Sequence, residues 1–115
     1  MPGSRLSAMS EARIERAGEG QLRLFGVLDY QSGPAVREAG RALIASSGTP
    51  VTLDCSAVER SSSVGLSLLL GFMRDAKAAG VDLRINALPD DMEKIARVSG
   101  LLDILPLEAT RDSKG

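Results

Sequence analysis

The chain has 115 residues, 43% apolar and only 3% aromatic, which suits one globular domain with an aliphatic core and excludes a disordered chain. Fourteen basic residues against fifteen acidic ones leave a net charge of -1, so there is no basic footprint for nucleic acid. Histidine is absent and cysteine occurs once, which removes Ser-His-Asp triads, Cys-His pairs, His-containing zinc sites and any internal disulfide.

Residues 1–11 read as a flexible tail, Ser/Gly/Pro-rich at its start and without the apolar stretch of a signal peptide. Ala12 to Arg16, with Ile14 between charges, predicts a short edge strand. Ala17-Gly18-Glu19-Gly20 is a turn signal. Gln21 to Leu28 then alternates, with Leu22, Leu24, Gly26 and Leu28 on one face and Arg23, Phe25 and Val27 on the other, so the domain opens on a β-hairpin. Ser32-Gly33-Pro34 starts a helix, with Ser32 as its cap and Pro34 in the first turn. Val36, Ala39, Leu43 and Ile44 form its apolar side, and Ser46 to Pro50 ends it.

Val51 to Cys55 predicts a central strand from its continuous apolar character, with Cys55 a small buried hydrophobe. A polar loop follows and carries Ser61-Ser62-Ser63. A long helix then runs from about Ser63 to Ala79. Leu66, Leu69, Leu70, Met73 and Ala76 recur at helical spacing, and Gly80 is the natural stop. Leu68, Phe72 and Ala79 widen the stripe on one flank, which suits either a broad core contact or a partner surface. Arg74, Asp75 and Lys77 fall on the solvated side. Val81 to Ile85 alternates as a strand. Pro89 opens a last helix with Met92, Ile95, Ala96 and Val98 on one side, and Asp90, Asp91 and Glu93 complement the dipole of its first turn. Leu101, Leu102, Ile104 and Leu105 pack back on the core after Gly100, and residues 108–115 fray.

The order β-β-α-β-α-β-α implies a single α/β domain over residues 12–107, a central mixed sheet with helices packed on it. Leu24, Leu53, Leu66, Leu69, Met73, Leu83 and Ile95 are its expected core. No phosphate-cradling loop is present, and no cofactor or metal site is expected. The longest apolar-rich run, Val64 to Met73, is about half of the roughly 20 residues a membrane span needs, so direct membrane insertion is not expected.

The informative place is the junction of the strand after Pro50 with the long helix. Ser62 or Ser63 sits at the helix start, where a hydroxyl accepts from orphan N–H groups and where the dipole favours an anion. A phosphate on that serine would be favoured there. Ser62, Ser63, Val64, Gly65 and Leu68, with the Asp29-Tyr30 turn, are the candidate partner-binding residues, because this turn joins two buried elements and offers polar and apolar groups side by side.

These residues resemble the STAS family, the domain shared by sulfate transporters and anti-sigma-factor antagonists. Gly26-Val27-Leu28-Asp29 is similar to that family's G-E-L-D. Leu53-Asp54-Cys55-Ser56 through Ser62-Ser63-Val64-Gly65-Leu66 is similar to its strand, switch loop and D-[ST]-x-G-L helix start, with Ser62 in place of the acid and Ser63 matching the switch hydroxyl, so the resemblance makes Ser63 the candidate switch or phosphorylation residue. The short length, Ser56-Ala57-Val58-Glu59-Arg60, Gly65-Leu66-Ser67-Leu68-Leu69-Leu70 and the Ile104-Leu105-Pro106 ending most resemble the MlaB-type members. That resemblance implies a non-enzymatic regulatory or assembly subunit. Its implied partner is an MlaF-like ATPase subunit of an ABC phospholipid transporter that maintains outer-membrane lipid asymmetry in Gram-negative bacteria. The chain would be cytoplasmic, held on the inner face of the inner membrane through that complex. The alternative is an anti-sigma-factor antagonist working as a phospho-serine switch.

Overall fold

Alternating side chains decide how the sheet buries one face. Ile14, Leu22, Leu24, Leu28, Val51, Leu53, Leu83 and Ile85 are all buried, while their neighbours Arg13, Glu15, Arg23 and Arg84 are exposed. Period-two alternation of this kind places helices on one side of a sheet and solvent on the other. The computed structural model describes residues 11–48 and 50–107. Its elements are β1 (Arg13–Gly18), β2 (Gln21–Leu28), α1 (Gly33–Ala45), β3 (Val51–Ser61), α2 (Ser63–Ala79), β4 (Leu83–Asn86) and α3 (Asp90–Val98), followed by a short 3-10 turn at Leu102–Ile104. The strands lie in the order β1-β2-β3-β4. β1 pairs antiparallel with β2, and β2, β3 and β4 run parallel. The expected α/β class, mixed sheet and element order all hold. The tail expectations for residues 1–10 and 108–115 lie outside the described residues.

β3 differs most from expectation. It does not end at Cys55 but continues through the expected loop to Ser61, eleven residues against the eight of β2. The reason is two register shifts in its pairing with β2, one opposite Arg23/Phe25 and one opposite Gly26/Val27. Each gives β3 an extra residue. The inward positions therefore come at Val51, Leu53 and Cys55 and then at Val58 and Ser61, so a two-residue spacing becomes a three-residue spacing and alternation no longer betrays a strand. Asp54 tends the first of these shifts: its Oδ1 accepts the Ser56 backbone N–H at 2.8 Å. Gly26 sits beside the second with φ +90, and a Cβ there would lie 2.5 Å from the Glu11 carbonyl oxygen. Only glycine meets both demands.

The core is aliphatic around one aromatic ring. Phe72 and Leu69 are fully buried, and Leu24, Leu53, Leu66 and Leu83 lie in the core as expected, while Met73 and Ile95 are only partly buried at its margin. Phe72 belongs to this core rather than to a partner-facing flank. It packs where α1 crosses α2: a Cβ on Gly40 would stand 2.3 Å from its ring. This crossing corrects two expectations. Gly40, not Ala39, faces inward on α1, and Asp75 is not simply solvated, because it pairs with Arg37 across the two helices with only 13% of its side chain exposed. Val98 is likewise corrected. It is 88% exposed, since Met92 and Ala96 already fill the inward face of α3. Ile104 is 54% exposed, so of the terminal apolar residues Leu105 alone enters the core outright. Gly80 ends α2 in the left-handed region at φ 71 as expected.

Candidate functional site

Parallel strands deliver their carboxyl ends to one side of a sheet, and there the connections to helices gather. β2 ends at Leu28 and turns through Asp29, Tyr30, Gln31 and Ser32 into α1. β3 ends at Ser61 and turns through Ser62 into α2. Leu28 and Ser61 are partners in the ladder, so the two turns are adjacent by construction. The Ser62 N–H donates to the Leu28 carbonyl at 3.0 Å. Val64 closes the gap between the turns: a Cβ on Gly33, at the start of α1, would lie 3.0 Å from Val64 Cγ1.

Each turn is held by its own side chains. Ser62 is the N-cap of α2, its Oγ accepting the Val64 N–H at 3.1 Å. Ser63 is the first helical residue, and both serines are exposed. In the other turn Asp29 Oδ1 accepts the N–H groups of Gln31 and Ser32, each at 3.0 Å, an Asx turn that presets the chain for α1. The cap expectation for Ser32 is thereby corrected. Ser32 occupies the N-cap position of α1 but makes no side-chain cap bond. Its hydroxyl turns back, donating to the Val27 carbonyl at 3.0 Å and accepting the Asp29 N–H at 3.1 Å. The result carries Tyr30 outward, 78% exposed.

Of the seven candidate partner-binding residues, Asp29, Tyr30, Ser62, Ser63 and Val64 therefore come together at one end of the sheet. Gly65 and Leu68 do not share that surface. Gly65 is buried, and Leu68 is 4% exposed because its position on α2 faces the core. Gly65 lies beneath the serine turn, against Ser61, and Leu68 belongs to the core. Two further residues join this site, Ser61, read only as part of a polar loop, and Asp91, read only as a complement to the α3 dipole. Ser61 is buried at 8% exposure, and Asp91 of α3 accepts its backbone N–H at 3.0 Å. No local pattern links positions so far apart. The glycine at 65 is the one trace, since a Cβ there would sit 1.9 Å from Ser61 Oγ.

Two titratable groups of β3 depart from their ordinary values. Burial, with the Asp54 charge beside it, pushes the Cys55 thiol up to about 12, so it stays protonated and inert at neutral pH. Burial alone would raise the Asp54 carboxyl, but hydrogen bonds from Ser56 and the Arg23 guanidinium outweigh it and hold the group below its ordinary value. A depressed carboxyl contributes stability that is present above its unfolded pKa of about 3.9 and is lost as pH falls through the lower folded value. Urea unfolding should therefore find the parent more stable than Asp54→Asn at pH 6, with the gap between the two midpoints narrowing as pH falls below the unfolded value of about 3.9. A gap unchanged at the lower pH would refute this role. Among the described residues no group of three or more Asp, Glu or Cys could hold a metal ion, and no helix is long and apolar enough to cross a membrane.

The sequence model of the family described as Mlab, STAS domain, matches residues 12–106. The chain belongs to the MlaB-type STAS domain family. No curated protein matches it. Among solved structures, the STAS domain is similar to an anti-sigma factor antagonist from Mycobacterium paratuberculosis, with a TM-score of 0.68 and 26% identity over 86% of this chain and 85% of that one. The anti-sigma factor antagonist SpoIIAA in its unphosphorylated form gives a TM-score of 0.64 at 20% identity, over 86% of this chain and 89% of that one. The phosphorylated form of the Bacillus cell fate determinant SpoIIAA gives 0.59 at 21% identity, over 86% and 92%. These last two likenesses speak for the fold.

Proposed function

We propose that this STAS domain is a non-enzymatic regulatory or assembly subunit that binds the ATPase subunit of an ABC phospholipid transporter, and that the transporter maintains outer-membrane lipid asymmetry. The observation that carries the reading is the match to the Mlab STAS model across residues 12–106. The geometry supports it. Asp29, Tyr30, Ser62, Ser63 and Val64 are the docking surface in this reading, on turns already ordered by their own hydrogen bonds, so little entropy is lost on binding. The domain would span residues 12–107 and sit on the cytoplasmic face of the inner membrane by way of the complex.

The test is co-purification of the tagged chain with the ATPase subunit of a phospholipid transporter from the same genome, followed by nucleotide turnover. The chain alone should hydrolyse no ATP, since it lacks a phosphate loop and the groups that position magnesium and water. Turnover by the purified chain, abolished by a substitution within it, would overturn the non-enzymatic reading. A second reading is an anti-sigma-factor antagonist with Ser63 as a phospho-switch. It is favoured by the exposed Ser63 in the first turn of α2 and by the antagonist from Mycobacterium paratuberculosis at 26% identity. Ser62, standing where the STAS pattern has an acid, weighs toward the transporter. Capture of a kinase-like anti-sigma factor instead of an ABC ATPase would reverse that preference.

A further inference from the structure

β3 outruns its neighbour. Its pairing with β4 stops at Asp54 and Asn86, whereas its pairing with β2 continues to Leu28 and Ser61. Successive N–H groups along a strand point to opposite sides. The Ser62 N–H reaches β2, so the Ser61 N–H points to the side that β4 has left. An N–H there without an acceptor is costly. Asp91, thirty positions on, supplies one: its Oδ2 accepts the Ser61 N–H at 3.0 Å. Its other oxygen accepts the Met92 N–H at 2.8 Å, anchoring the carboxylate to its own helix. The Ser61 hydroxyl in turn donates to the Ser62 carbonyl at 2.7 Å. Gly65 leaves room for it, because a Cβ at that position would meet Ser61 Oγ at 1.9 Å and Met92 Cε at 3.1 Å.

The end of β3, the first turn of α2 and the first turn of α3 are thus fastened to one another through Ser61. From these contacts we infer that Asp91 is a positioning residue for the serine turn: a carboxylate on α3 that fixes the end of β3 and so aims Ser62 and Ser63 at the partner. The inference rests on the reading of that turn as the docking surface. In this inference Asp91 acts through Ser61 and not by contact with the partner. The plainer role, complementing the α3 dipole, belongs equally to Asp90, which is exposed in the same first turn. Asp90 is therefore the control.

Asp91→Ala, Asp91→Asn and Asp90→Ala in the full chain separate the two roles. Amide hydrogen exchange by NMR on the isolated protein reads the turn directly. Asp91→Ala should speed exchange at Ser61 and Ser62 by at least about tenfold, as expected for losing a charge-assisted hydrogen bond. Asp91→Asn, which keeps one acceptor oxygen and the side-chain volume, should fall between. Asp90→Ala should match the parent. Affinity for the ATPase subunit should follow the same order, with Asp91→Ala weaker by about tenfold. If Asp91→Ala proves unfolded, the intermediate exchange expected of Asp91→Asn carries the test. Exchange at Ser61 unchanged in a folded Asp91 variant, or an equal effect from Asp90→Ala, would overturn the inference. So would faster exchange with affinity equal to the parent. If the parent itself does not bind an ATPase subunit, the docking reading fails, while the exchange data still decide whether Asp91 holds the turn.

Discussion

Ser63→Glu is expected to weaken binding to the ATPase subunit by about 2–5 kcal/mol while leaving the isolated domain folded. The two halves of that expectation come from opposite effects at one position. In the free protein Ser63 is exposed in the first turn of α2. A carboxylate there faces the positive end of the helix and gains about 0.3–1 kcal/mol. In the complex the same carboxylate is desolvated against a partner surface that suits a hydroxyl, which both donates and accepts. An unpaired buried charge costs several times what the dipole returns, so the loss in binding wins. Ser67→Ala, one turn along α2, should change affinity far less. Isothermal titration of both variants, after circular dichroism confirms that each is folded, gives the answer. Parent-like affinity for Ser63→Glu would mean that the partner does not read this turn.

Phe72→Ala should be the most damaging core substitution, at about 3–5 kcal/mol. Phe72 is the largest fully buried side chain, and its ring fills the space that Gly40 leaves at the crossing of α1 and α2. Truncation removes transfer energy and leaves a cavity that two helices, tied by Arg37 and Asp75, cannot readily collapse. The reverse substitution makes the complementary test. Gly40→Ala gains up to about 1 kcal/mol of helix propensity, yet its methyl would lie 2.3 Å from the ring. Overpacking of a rigid buried ring costs about 1–3 kcal/mol, so Gly40→Ala should destabilise on balance. With the ring already gone, the same methyl should be tolerated or helpful. A double-mutant cycle by urea denaturation should therefore show Gly40→Ala changing sign in the Phe72→Ala background. Simple additivity would show that ring and glycine do not meet as described.

Much of this follows from the one-dimensional pattern, because the forces concerned are local. Alternation over Gln21 to Leu28 named the inward face of β2, since side chains of a strand must alternate. The spacing of Leu66, Leu69 and Ala76, with Gly80 behind them, defined α2 and its end, since a helix brings residues three and four apart to one face. Ser62 and Ser63 were legible at the helix start because capping is a contact between near neighbours. Three things were settled only by the tertiary structure. β3 runs to Ser61 because pairing with β2 tolerates two extra residues there, and a break in alternation by itself reads as a loop. Leu68 and Gly65 lie beneath the surface because α2 is covered by more than the sheet, by α1 along its length and at Gly65 by Met92 of α3, and the sequence does not say how wide a helix's buried stripe will be. Asp91 reaches the serine turn because β4 stops short and leaves a buried N–H that something distant in sequence has to satisfy.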